Sequence, residues 1–218
     1  MHTAWDDLPD AAHRAVVAHT GAVRSVSPTG AGASCRFAAT LHTDTGLAFC
    51  KGIPITDRLA WTLRNEARVN PHLPGIAPAL LWHVEQAGWL LAGFEHVPGR
   101  HADLRPGSPD LPAVAGVLAA LASSPPPTFP VRPLTARWAG LIDPEHIAGG
   151  TLAHTDMSRR NWLVHDGAAR LVDWAAPAVG GTVARYGVRG GPVDPVRAHT
   201  GRRRSVGGAG PRLVVCPG

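Results

Sequence analysis

His154, Asp156 and Asn161 lie in the run Leu152-Ala-His154-Thr-Asp156-Met-Ser-Arg-Arg-Asn161-Trp-Leu-Val164, and Asp173-Trp174 follows nine residues after it. These residue types at this spacing suit phosphoryl transfer. That chemistry needs one carboxylate to orient an attacking hydroxyl and take up its proton. It also needs an amide oxygen five residues on to hold Mg²⁺, and a second carboxylate to bridge that metal to the phosphates. Asp156, Asn161 and Asp173 supply these three groups. With 12 His, 12 Asp and 3 Asn in 218 residues, the pattern His-x-Asp-x₄-Asn arises by chance in only ~0.01 of such chains.

The elements around these residues must bring them together. Trp162-Leu-Val164 and Ala169-Arg-Leu-Val172 are short apolar runs on either side of His165-Asp166-Gly167-Ala168, and an Asp-Gly pair between such runs predicts a tight hairpin. A hairpin carries Asn161 on entry and Asp173 on exit, so both metal ligands arrive at the same end. The bland alternative is a solvated loop beside an ordinary hairpin.

Upstream, a helical stretch over Arg14–Thr20 precedes three predicted strands, Ala22–Ser27, Cys35–Leu41 and Gly46–Lys51. Gly30 and Gly32 sit in the first turn, where backbone amides without Cβ atoms in the way can approach nucleotide phosphates; a plain hairpin loop would look the same. Lys51 is the only lysine in the chain against twenty arginines. A single Lys at the end of the third strand suggests a site that needs a compact ammonium rather than a guanidinium fork. Thr56 or Asp57 can cap a helix through Arg58–Val69. On it Leu59, Leu63 and Ala67 form an apolar stripe that Glu66 borders, where a partner for Lys51 belongs. Ile76–Val84 and Trp89–His96, turned by Gln86-Ala-Gly88, predict two further strands.

His154-x-Asp156-x₄-Asn161 with Leu171-Val-Asp173-Trp174 resembles the aminoglycoside phosphotransferase family, small-molecule kinases that share the protein-kinase fold. Thr155 and Asp173-Trp174 stand where protein kinases usually carry Arg and Asp-Phe-Gly, and no segment ending in Ala-Pro-Glu follows, which favours the small-molecule branch, although Thr155 also replaces the Gly common there. The resemblance spans about residues 20 to 176. It implies an α+β, bilobal protein-kinase-like fold, with a five-stranded antiparallel small lobe bearing one helix and a truncated, mainly helical large lobe. It implies ATP and Mg²⁺ as cofactors, with Lys51 holding the α/β-phosphates, Glu66 holding Lys51, Asn161 and Asp173 binding the metal, Asp156 as the base and His154 bracing the loop. The segment Leu90–His101 resembles the family's interlobe hinge, which places backbone groups from Gly93 to His96, Glu95 among them, against adenine. The implied division is 1–96 for the small lobe, 97–178 for the hinge and partial catalytic lobe, and 179–218 for a basic tail.

Leu111–Ala122 is apolar nearly all round, the pattern of a buried helix. Pro133–Ile142 is expected to form a second helix, leading through Asp143-Pro-Glu-His146 to the catalytic loop. After Pro177 the text changes to scattered Gly, Pro and Arg with no helical period. It reads as a disordered tail, and in a chain this rich in Ala, Gly, Pro and Arg it also reads as the product of a shifted coding frame soon after Asp173. The net charge is +5, yet residues 179–218 hold seven Arg against Asp194, a net of +6, which leaves −1 for residues 1–178. The alkaline character therefore belongs to the tail.

No apolar run reaches the ~18 residues that cross a bilayer, and the start lacks a basic segment leading into an apolar one. A cytoplasmic protein with no membrane partner is expected. Cys35, Cys50 and Cys216 are odd in number and lack metal-ligand spacing, so they are expected reduced. The function these residues favour is transfer of the ATP γ-phosphate to the hydroxyl of a small molecule. One rival is a catalytically silent remnant that still binds nucleotide. The other is a basic-tailed nucleic-acid binder using Arg202-Arg-Arg204, but a basic run without interleaved aromatics is usually only solvated, so nucleic acid is not an expected partner.

Overall fold

Near-continuous apolar runs along the central amino-terminal strands bury both faces of one sheet. The computed structural model describes residues 3–29, 34–125 and 127–181. It opens with helix α1, Asp10–Thr20, longer than expected at its start. Strands β1 Val23–Pro28, β2 Phe37–Thr43, β3 Gly46–Pro54, β4 Leu80–Gln86 and β5 Trp89–Glu95 follow, with helix α2, Ala60–Val69, between β3 and β4. The sheet is antiparallel in the order β1-β2-β3-β5-β4. Cys50, Leu91, Leu41 and Phe37 point to one face and pack with Ala12 and Val16 of α1. Phe49, Ile53, Leu90 and Phe94 point to the other and pack with Ala60 and Leu63 of α2. Each fully buried Leu or Ile here contributes about 1.5–3 kcal/mol.

Two small-lobe boundaries differ from expectation. Strand β3 runs on to Pro54, so Lys51 lies inside it rather than at its end. Strand β4 starts at Leu80 rather than Ile76. The buried Asn70 amide explains the second difference, since Nδ2 donates to the Pro78 carbonyl at 2.7 Å and Oδ1 accepts the Leu80 N–H at 2.6 Å. Ile76 instead reaches the other lobe, its carbonyl accepting the Leu171 N–H at 2.8 Å.

Beyond the hinge, β6 Arg100–His101 pairs with β8 Trp162–His165, which pairs with β9 Ala168–Leu171. The β8–β9 turn is Asp166-Gly167, both at positive φ (48° and 73°), the primed turn that follows strand twist. Helix α3, Leu111–Ser123, packs Val114, Val117 and Leu121 onto Leu152, Trp162, Leu171 and Trp174. It buries that stripe alone. Ala115, Gly116, Ala119 and Ala120 are exposed among the described residues, contrary to the all-round burial expected from composition. The expected helix over Pro133–Ile142 shortens to α4, Leu134–Arg137, and Gly140 at φ 75° turns the chain soon after it. A second single turn, α5, Pro144–Ile147, is capped by Asp143, whose Oδ1 accepts the Glu145 N–H.

The first residues assigned to the tail are ordered. Strand β10, Ala178–Gly180, pairs antiparallel with β7, Thr151–Ala153. Val179 donates to the Arg132 carbonyl, Gly181 donates to that of Ile147, and Thr151 Oγ1 donates to that of Gly180 at 2.7 Å. Backbone satisfaction, invisible to a composition argument, holds these residues. The rest of the expected tail, with its possible frame shift, lies outside the described residues. No helix among the described residues is long and apolar enough to cross a membrane. Cys35 and Cys50 are free thiols.

Candidate active site

Lys51 is buried in the middle of β3, flanked across the ladder by Ala38 on β2 and Ala92 on β5. These two small side chains leave room for the ammonium. Its Nζ donates to Glu66 Oε1 and Oε2 at 2.9 and 2.8 Å and to Asp173 Oδ1 at 2.8 Å. The Phe94 ring centroid lies 5.9 Å from it. Glu66 stands on the sheet-facing side of α2, and its Oε1 also accepts the Trp174 N–H at 3.2 Å. Strand, helix and hairpin exit thus meet at one ammonium.

Asp173 reaches this point because its backbone takes φ 65°, a left-handed turn that Asp tolerates better than most residues. The turn follows β9 directly. Val172 donates to the Asn161 carbonyl at 2.8 Å, so the hairpin sets the residue before Asp173 beside Asn161. The buried Asn161 side chain donates from Nδ2 to the Asp156 carbonyl at 3.0 Å. That bond orients the amide and leaves Oδ1 as a free oxygen ligand among the described residues. Asp156 is exposed, and its Oδ1 accepts the Ser158 N–H at 3.1 Å.

His154 is buried and ties the two segments together. Its Nδ1 accepts the Asp156 N–H at 3.2 Å and its Nε2 meets the Val172 carbonyl at 3.0 Å. Only the neutral tautomer protonated at Nε2 makes both bonds. Burial holds the pKa of the imidazole below its ordinary value, against the opposing pull of Asp173. Its ring lies edge-on to Trp174, with centroids 4.7 Å apart.

Burial alone would strip the charge from Lys51. The Glu66 and Asp173 carboxylates outweigh it and hold the ammonium well above its ordinary pKa. Burial likewise pushes at Asp173, but Lys51 wins and lowers it. Burial raises Glu66, with Lys51 and the Trp174 N–H acting against that rise; two bonds from a charged ammonium keep this carboxylate ionised. One cation against two carboxylates leaves a net negative site, open to a further cation. Asp173 and Asn161 offer it oxygen ligands of the hard kind that Mg²⁺ prefers.

Gly30 and Gly32 lie outside the described residues. Glu95 ends β5, its N–H already given to the Ala79 carbonyl at 2.8 Å. Gly93 and Phe94 are laddered on both sides, to β3 and to β4. His96 is half-buried, and burial together with nearby His42 lowers its pKa. Sequence reasoning missed Ser34, whose Oγ donates to Asp173 Oδ1 at 3.1 Å; its place at the end of the Gly-rich turn was the only signal. It also missed the fork of Arg100 onto Asp110, at 2.6 and 2.8 Å, which fastens the hinge to the start of α3.

No family model matches the chain, and no curated protein matches it in sequence. Solved structures do match. The aminoglycoside phosphotransferase APH(4)-Ia aligns with a TM-score of 0.56 over 78% of this chain and 73% of its own, at 13% identity. The fold is that of the aminoglycoside phosphotransferases. A thermostable mutant of APH(4)-Ia in ternary complex with AMP-PNP and hygromycin B aligns with a TM-score of 0.55 over 78% and 72%, at 16% identity. A candidate aminoglycoside phosphotransferase from Ralstonia eutropha JMP134 aligns with a TM-score of 0.54 over 78% and 65%, also at 16%. The aminoglycoside phosphotransferase fold is therefore retained at an identity where sequence comparison alone is silent.

Proposed function

We propose that this chain is an ATP- and Mg²⁺-dependent phosphotransferase that moves the γ-phosphate to a hydroxyl of a small molecule. The observation that carries this reading is the Lys51–Glu66–Asp173 cluster, in which the only lysine of the chain is buried between two carboxylates from opposite lobes. A purely structural salt bridge needs one acid. The second acid, adjoining Asn161 through the hairpin, makes sense as a metal ligand. The nucleotide-bound APH(4)-Ia complex of the same fold supports this assignment.

In this reading Lys51 holds the α/β-phosphates and Glu66 aims Lys51. Asn161 Oδ1 and Asp173 hold Mg²⁺, which supplies charge neutralisation at the phosphates. Glu95 and His96 present backbone groups to adenine. Asp156 orients the acceptor hydroxyl and takes its proton as the new O–P bond forms and ADP departs. His154 positions both Asp156 and the metal turn. The division into a small lobe over 1–96 and a catalytic lobe from 97 onward belongs to the same proposal, as does a soluble cytoplasmic setting.

Titration calorimetry tests the assignment. ATP should bind only weakly without Mg²⁺, and Asp173→Ala should reduce Mg²⁺-ATP affinity at least about tenfold. Asp156→Asn should retain binding and lose turnover. Equal ATP affinity with and without Mg²⁺ would count against the metal site, while binding without turnover on any hydroxyl acceptor would mark a silent nucleotide-binding remnant.

A further inference from the structure

Three arginines converge on the outer side of α2 with no acid among the described residues to meet them. Arg68 on α2, Arg132 and Arg137 line a depression of about 330 Å³ together with Trp61 and Pro177. That volume falls at the small end of small-molecule sites, roughly 300–1,000 Å³. Among the described residues no carboxylate lines it, and none of the three arginines forms an ion pair. Arg68 is steadied in place, with Nη2 on Asn65 Oδ1 at 2.9 Å and its guanidinium 5.0 Å from the Phe129 ring centroid. The Arg132 guanidinium donates, among the described residues, only to the Ala136 carbonyl, at 3.3 Å. Arg137 is half-buried, its guanidinium has no hydrogen-bond partner among the described residues, and burial with the charge of Arg132 disfavours its cation. Gathering like charges in a partly buried place is unfavourable unless an anion joins them. Guanidinium forks match the oxygens of a phosphate, and Trp61, 45% exposed at the rim, adds an apolar face for whatever carries it.

We infer that this pocket binds a small phosphate-bearing molecule, at a site that shares no residue with the Lys51 cleft. The inference does not depend on the phosphotransferase reading.

The test is calorimetry on the full chain, free of Mg²⁺ and at fixed ionic strength, with phenyl phosphate and inorganic phosphate as probes. Phenyl phosphate should bind saturably at one site and more tightly than inorganic phosphate. Arg132→Gln and Arg137→Gln should each weaken it at least about tenfold, and Trp61→Ala should abolish the advantage of the phenyl group. Arg132 is exposed, so its variant folds even if the Arg137 variant does not. Arg14→Gln, on the exposed face of α1, should change nothing. Absence of saturable binding, binding undiminished in Arg132→Gln, or an equal loss in Arg14→Gln would overturn the inference, and equal affinity for the two probes would overturn its apolar component.

Discussion

Lys51, Glu66 and His154 are buried polar residues whose cost is met by specific partners, and each makes a stability prediction. Removing Glu66 leaves the Lys51 ammonium with Asp173 alone and strips the Trp174 N–H of its acceptor. Glu66→Ala should therefore lose about 3 kcal/mol, the low end for a broken buried pair, as read by urea denaturation. A loss below about 1 kcal/mol would show that the pair contributes no more than an exposed one. The pH dependence follows from the direction of each shift. His154 is held below its ordinary 6.5, so its contribution is complete above that value. As pH falls further it is lost, because the unfolded chain takes up a proton that the folded chain refuses until its own lower pKa is reached. Asp173 is held below 3.8, so its contribution is full above 3.8 and disappears as pH falls through the folded value. Lys51, held above 10.5, contributes fully below 10.5 and is lost only as pH rises through its folded pKa. Unfolding free energy should thus begin to fall just below pH 6.5, and His154→Gln should flatten that first limb while sparing the Asp173 limb. An unchanged slope in His154→Gln would contradict its burial as the neutral form.

At the scale of elements, the tightest constraint is where β5 pairs with β4, Gly93 opposite Trp82. Gly93 lies against the Trp82 indole with no room for a methyl group, and Trp82 is itself buried against His19 of α1, the rings stacked at 5.3 Å. Gly93→Ala should cost about 1–3 kcal/mol by overpacking. In a chain of this size that lowers the melting temperature by about 2–4 °C for each kcal/mol; a variant that melts like the parent would mean the sheet yields without cost. Nothing in the sequence announces this contact, since a glycine inside a strand reads only as a weak point. Legibility followed physical range. The β8–β9 hairpin was readable because Asp166-Gly167 fixes a turn locally. The meeting of Lys51 with Glu66 was readable because strand and helix periods each assign a face. Strand β10 and the short α4 were not, because they depend on backbone bonds to partners distant in sequence, such as Val179 to Arg132. The half-exposed α3 misled for a related reason, since composition states what a helix could bury and not what covers it.

For the whole molecule, the site exists only where the two lobes meet. Lys51 and Glu66 come from the sheet and its helix, Asp173 and Trp174 from the exit of the β8–β9 hairpin, and the Leu171 bond to Ile76 carries the packed core across the same joint. The most direct test of a nucleotide cleft at that joint is labelling with an ATP analogue whose acyl-phosphate acylates an amine beside the bound phosphates. Apart from the chain's own amino terminus, Lys51 is the only amine available. One labelled peptide containing Lys51 is predicted, with labelling suppressed by excess ATP and Mg²⁺ and reduced in Glu66→Gln; labelling of Lys51 that ATP cannot compete away, or none at all, would contradict a phosphate-binding role for this lysine.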